Sequence, residues 1–254
     1  MRSHKIPSVR SRARSHAHGR RSVLPNGFGV EFIPGPVPGP GVEVASQEAV
    51  IAALSTFDPE LAWSDARDMI VPLLPRRRPY PAPFPERVGI VLPPGIRVGF
   101  GLDLGPAFAH VGEDLLARWG IEPVDLAAVA LANVRRLAAA VPAKAVVEAP
   151  VDGMPVAALQ SGEGIASALL LVADCLPRFI GRGPHVLLAP MRDLLVALPP
   201  DVDPALAAWF ATELEDADPN SLDLGLFLHA DGVVTRAPLD MRLRLSTPER
   251  RMMH

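Results

Sequence analysis

Two aspartates carry the first chemical reading of the chain. Asp103 and Asp193 each stand at the edge of an expected strand, next to a turn. Two carboxylates brought together could hold a divalent cation or divide acid and base roles between them. Taken singly, each has a commoner use, capping its own turn or pairing with an arginine such as Arg97 or Arg192. A second candidate is Ser161-Gly162-Glu163-Gly164, which falls between a strand and a helix. Free backbone N–H groups and the helix dipole favour an anion there, making Gly162 and Gly164 candidate ligand-binding residues. The run lacks the GxxxxGK[ST] phosphate loop, and Glu163 would repel a phosphate, so turn formation is the simpler role.

Asn133 is the third candidate. A carboxamide on an apolar helical face has up to four hydrogen bonds to satisfy. A tie to the backbone of a neighbouring loop, for example the turn at Asp103 or Pro190, would satisfy them, as would a ligand. Ser167 lies early in an apolar helix without a G-x-S-x-G elbow, and its hydroxyl can bond back to the preceding turn. Together with Arg192 it completes the set of candidate ligand-binding residues. Cys175 reads as a small core residue. The seven histidines do not form the ligand spacing of a folded metal site: His16-x-His18 in the tail could bind a metal adventitiously, and His110, His185 and His229 fall singly on strand edges. No H-E-x-x-H, EF-hand loop or dinucleotide fingerprint is present, so neither a folded metal site nor a cofactor is expected.

The elements that must position these residues follow from periodicity. Helices are expected from about Ser46 to Phe57, over Glu60–Leu74 after the Asp58-Pro59 start signal, and over Glu113–Trp119 with Gly120 as C-cap. A long helix is expected from Glu122-Pro123 to Val141, with Leu126, Val129, Ala130, Leu137 and Val141 on its apolar face. Further helices are read over Ile165–Phe179 and Pro204–Ala217. Strands are expected at Gly27–Ile33, Val88–Leu92, Arg97–Leu104, Pro106–Val111, Ala145–Ala149, Pro155–Gln160, His185–Leu188 and Leu194–Leu198. The stretch Leu222–Ala237 reads as a hairpin turning at Asp231-Gly232. Trp63, Trp119 and Trp209 fall one per helix as core anchors. Strand pairs alternating with single helices give an α+β class, a mainly antiparallel sheet with helices packed on one face.

Length and composition bound the rest. At 254 residues and 49% apolar content, the chain can bury a sizeable core in one or two domains. One cysteine excludes an internal disulfide and a Cys-cluster zinc site. Residues 1–22 hold seven basic residues and no acid, leaving 18 basic against 28 acidic residues in the body. This segment reads as a disordered basic tail, and nucleic-acid binding is unlikely except through it. Residues 23–95 read as an α+β portion with proline-rich linkers, Pro34–Gly41 and 75–95. The main α+β domain is placed at 96–239 and a frayed tail at 240–254. No export signal and no membrane-spanning stretch is read, so the expected location is the cytoplasm.

Four stretches carry a family resemblance: FGLDLGPAF (100–108), LAAVALANVRRL (126–137), SGEGIASALLL (161–171) and LLAPMRDLLVAL (187–198). In this order and spacing they resemble the YtpQ-like family of uncharacterised bacterial proteins, over roughly residues 68–235. Ile70-Val71-Pro72 is similar to that family's earlier Ile-x-Pro segment. The turn Glu163-Gly164-Ile165 departs from its usual Asp-Gly-Tyr, and residues 1–45 have no counterpart in it. The resemblance implies a fold and a cytosolic bacterial setting, and no activity. Two functions are therefore expected. One is a non-catalytic protein-binding or scaffold module with a protein partner. The other is a hydrolase or ligand-binding enzyme, with a cleft where the turns near Asp103, Gly162–Gly164 and Asp193 converge.

Overall fold

A computed structural model describes residues 22–23, 29–31, 47–77 other than 59, and 88–237 other than 106, 152 and 218–220. Residues 1–21 of the basic tail, the Pro34–Gly41 run, residues 78–87 of the connector and the 240–254 tail lie outside the described residues. The class is α+β: two six-stranded sheets in which every strand pair is antiparallel, with helices packed against them.

The first sheet is built around β5 (Ile96–Asp103), which pairs with β6 (Phe108–His110), β3 (Ile70–Leu73) and β4 (Ile90–Leu92). Beyond β6 lie β2 (Gly29–Glu31) and β1 (Ser22–Val23). Ile96, Val98, Phe100 and Leu102 alternate along β5 and all are buried, as a strand with a period of two requires. Gly101 sits where a Cβ would lie 2.9 Å from Leu73 Cδ1 and 3.3 Å from the Ala109 carbonyl oxygen, so a side chain there would displace the Leu73 side chain and crowd the β6 backbone.

The helix α4 (Pro123–Ala140) packs on this sheet. Pro123 occupies its first turn, where a missing N–H costs nothing. Leu126, Ala127, Ala130, Asn133, Val134 and Ala138 form its buried stripe at three- and four-residue spacing. Before it, α3 (Glu113–Trp119) ends at Gly120 in the left-handed conformation, φ 65°, which the glycine adopts without a Cβ clash. Trp119 donates its indole N–H to the Leu61 carbonyl at 2.9 Å and lies 5.3 Å from the ring of Trp63 in α2 (Trp63–Ala66).

The second sheet runs in the order β12-β11-β9-β10-β8-β7. It consists of three hairpins: β7 (Val146–Val151) with β8 (Met154–Leu159), β9 (His185–Met191) with β10 (Leu194–Leu198), and β11 (Leu226–Ala230) with β12 (Val233–Arg236). Leu159, Leu187, Ala189, Leu195, Ala197 and Phe227 face the core shared with β5 and α4. Their neighbours Val156, Val186, Leu188, Val196, Leu198 and Leu226 face the other way. There α6 (Pro204–Ala217) covers them with Leu206, Phe210, Ala211 and Leu214.

Three expectations need correction. Ile70–Leu73 is a strand, not the end of a helix; it is buried on both faces, and Pro72 is tolerated because β3 ends the path of its sheet. The apolar stretch 165–179 is not one helix. It folds as 3-10 segments, Ala166–Leu171 and Ala173–Cys175, broken at Val172 (φ −131°, ψ 63°), and then as the short α5 (Pro177–Ile180). Trp209 is no core anchor, being 53% exposed on α6. β4 and β5 pair across residues 93–95, and one core runs from Ile70 and Val88 through to Phe227 and Val234. The remaining helix, α1 (Gln47–Thr56), precedes this core in the chain.

Candidate functional site

The turns singled out from sequence meet where the two sheets approach each other. Arg192 and Asp193 form the two-residue turn of the β9–β10 hairpin. Arg192 lays its guanidinium over the Phe108 ring, 3.6 Å from the centroid, and Phe108 is the register partner of Asp103 across β5–β6. The same side chain donates from Nε to the Gly164 carbonyl at 3.0 Å. Gly164 has φ +69°, and a Cβ on it would lie 3.3 Å from that Nε, so only glycine seats the arginine without strain. Arg192 thus ties three turns together: 103–105, 161–165 and its own.

Asp193 is 5% exposed and wholly engaged. Its Oδ1 accepts from the backbone N–H of Ser161 at 3.2 Å, from the Ser161 hydroxyl, and from the Ala166 N–H at 3.4 Å. Its Oδ2 accepts from the Gly162 N–H at 2.7 Å. The Ser161 hydroxyl oxygen in turn accepts from the N–H groups of Glu163 and Ile165, both at 3.2 Å. The N–H groups of Ser161, Gly162 and Ala166 are therefore taken by a carboxylate of the protein itself, and those of Glu163 and Ile165 by the Ser161 hydroxyl. Ser167 completes the knot: its hydroxyl and its N–H both donate to the Arg192 carbonyl, at 2.6 and 3.1 Å.

Asp103 is held differently. Its Oδ1 accepts from the Gly105 N–H at 2.8 Å, a turn of the kind short polar side chains favour. Burial pushes its carboxyl above the ordinary carboxylate range; Glu163 adds to that, while the Gly105 N–H and Arg192 oppose it. The charges acting most on Asp103 are thus Arg192 and Glu163, not Asp193.

Asn133 lies apart from this junction. Its Nδ2 donates to the carbonyls of Arg67 at 2.8 Å and Ile70 at 2.9 Å, and its Oδ1 accepts from Arg136 at 3.3 Å. The loop it ties to α4 is the one entering β3, rather than the turn at Asp103 or Pro190. Arg178 plays a comparable part at the other end of α4, donating to the carbonyls of Ala138, Ala139 and Val141 at 2.7 to 2.9 Å. Cys175 is half-buried, and burial raises its thiol pKa, which keeps it protonated and a poor nucleophile.

Two features escaped the sequence. The first is a trough of about 570 Å³ on the second sheet, beside the edge strand β7. Prolines dominate it, with Pro150, Pro155, Pro184, Pro199 and Pro200 in its lining, and Glu148 and His185 are its polar members. The second is that His185 and His229, read singly, are direct cross-strand partners in β9 and β11. Counting back from the Asp231-Gly232 turn places His229 in β11, but nothing in sequence pairs β11 with β9 instead of another strand.

The arrangement defines an α+β protein whose loop junction is closed by its own side chains and whose apolar trough lies elsewhere. No helix among the described residues is long and apolar enough to cross a membrane. Comparison with family models, with curated proteins and with solved structures finds no match for the chain.

Proposed function

We propose that the protein is a non-catalytic binding module of the cytoplasm, related to the YtpQ-like family, that receives an extended, largely apolar segment of a partner protein along β7. The observation that carries this reading is the trough beside that edge strand. Among the described residues β7 ends its sheet, and its central residues Val147 to Pro150 are exposed. An edge strand offers unpaired backbone donors and acceptors to an added strand, while flanking concavities select its side chains. The apolar lining suits aliphatic or proline side chains, and Glu148 and His185 provide polar contacts that fix orientation.

The alternative, a hydrolase or ligand-binding enzyme at the junction of Asp103, Gly162–Gly164 and Asp193, is disfavoured by the full engagement of Asp193 with backbone donors. A carboxylate already accepting from the turn it supports has little capacity left for a metal or a substrate proton.

Selection of a random displayed-peptide library against the full chain tests the binding reading. Peptides of a shared pattern should emerge and bind at least tenfold more weakly to a Pro155→Lys variant, which places a charge in the trough. Failure to enrich any peptide, or equal binding to both proteins, overturns it.

A further inference from the structure

On the face of the second sheet turned away from α6, His185 of β9 stands directly opposite His229 of β11. Their rings lie side by side, with centroids 6.3 Å apart and planes inclined by 24°. His229 is 1% exposed, and among the described residues neither of its ring nitrogens has a hydrogen-bond partner. The Gly183 backbone approaches this ring without meeting hydrogen-bond geometry. The Nδ1 of His185 is likewise buried and unpartnered. Three orphaned ring nitrogens on two adjacent side chains are unusual, because buried polar atoms are nearly always paired and each unpaired one costs free energy.

The chemistry of the donors narrows what would satisfy them. Burial, reinforced by His185, lowers the pKa of His229 and favours its neutral ring, the form that offers a lone pair. Imidazole nitrogens suit borderline first-row metals, whereas magnesium and calcium require oxygen donors. Directly opposed residues in an antiparallel pair have Cβ atoms about 4.5–5.5 Å apart, so both rings can reach one ion at metal–nitrogen distances of about 2.0–2.1 Å. His185 also lines the trough, which gives an ion a way in and leaves its other positions open. Among the described residues no group of three or more His, Cys, Asp or Glu could hold a metal, so the pair provides two protein ligands only.

We propose that His185 and His229 form a two-histidine binding site for a divalent first-row transition-metal ion, entered from the trough and completed by water or by a donor on a molecule bound there. The site does not depend on the peptide-binding reading.

Zinc is the probe, added to the full chain carrying His4→Gln, His16→Gln and His18→Gln, since the His16-x-His18 pair can chelate on its own. Imidazole nitrogen resonances report each ring separately. The rings of His185 and His229 should shift together and saturate at one equivalent of zinc. His185→Gln in the same background should abolish the His229 response and weaken zinc binding at least tenfold. Should that variant fail to fold, the parent's ring shifts decide alone. Unchanged resonances of both rings at several equivalents overturn the proposal, as does an undiminished His229 response in a folded His185→Gln protein.

Discussion

Replacing Asp193 with alanine separates a structural carboxylate from a functional one. Its two oxygens accept from Ser161 N–H, Ser161 hydroxyl, Gly162 N–H and Ala166 N–H, and the residue is almost completely buried. A hydrogen bond to a charged group contributes about 1.5–3 kcal/mol, and a buried donor stripped of its partner costs about 1–3 kcal/mol. These terms overlap, and the outer part of the 161–166 turn is open to water, so the loss does not reach their sum. Asp193→Ala should cost about 3–4 kcal/mol. Asp193→Asn retains one acceptor oxygen but turns an amide toward N–H donors, and should cost roughly half as much. Urea unfolding measures both, with the midpoint falling at constant slope. A loss below about 1 kcal/mol, or a gain, would refute the reasoning, because side chains kept for function are often held at the expense of stability. The paired-carboxylate reading of Asp103 and Asp193 would then return.

Asn133→Ala removes the side-chain donor to the Arg67 and Ile70 carbonyls, of which the first still accepts from the Ile70 N–H, and should cost about 2 kcal/mol in the same assay; an effect under about 0.5 kcal/mol would mean that water replaces the carboxamide. Arg178→Ala removes the side-chain donor to three carbonyls at the end of α4, of which that of Ala138 still accepts from the Val141 N–H, and should lower stability by about 1–2 kcal/mol, with faster amide exchange over 178–180. Asp103 supplies the pH dependence. Its folded-state pKa is raised above the ordinary 3.8, so the folded protein binds the proton more tightly than the unfolded chain. Its contribution to stability therefore falls as pH rises from the ordinary value through the raised one, and stays reduced above it. Asp103→Asn removes that penalty while keeping an acceptor for Gly105, so the variant should be more stable than the parent at pH 7 and lose the advantage near pH 3.5. A variant less stable at pH 7, with a pH-independent difference, would show that the ionised carboxylate is the stabilising form.

What the sequence discloses depends on the range of the interaction that decides each feature. Where neighbours in the chain decide, the reading is good: Pro123 starts α4, Gly120 ends α3 in the left-handed conformation, and Asp231-Gly232, with φ of 52° and 75°, turns the last hairpin. Where tertiary burial decides, local pattern misleads. Ile70, Val71 and Leu73 are apolar at a spacing that fits a helix, yet pairing with β5 and burial of both faces draw them into a strand. Residues 165–173 are apolar apart from Ser167, so periodicity cannot reveal that the chain bends at Val172 inside the core.

The same division governs the candidate site. Residue type marks Asp193 as a carboxylate beside a turn, and that description fits a capping group as well as a catalytic one. What separates them is the supply of unpaired N–H donors within reach. Ser161 and Gly162 lie 32 and 31 residues earlier in the chain and become donors only because β8 pairs with β10. His185 and His229 give the reverse case, because sequence assigns each a dull position on a strand edge. Strand pairing sets them ring beside ring, and the absence of hydrogen-bond partners for three of their buried nitrogens makes the pair chemically available. A polar side chain in this fold is therefore free for function in proportion to the donors and acceptors left to it after folding. By that measure the Asp193 junction is spent and the histidine end of the trough is not.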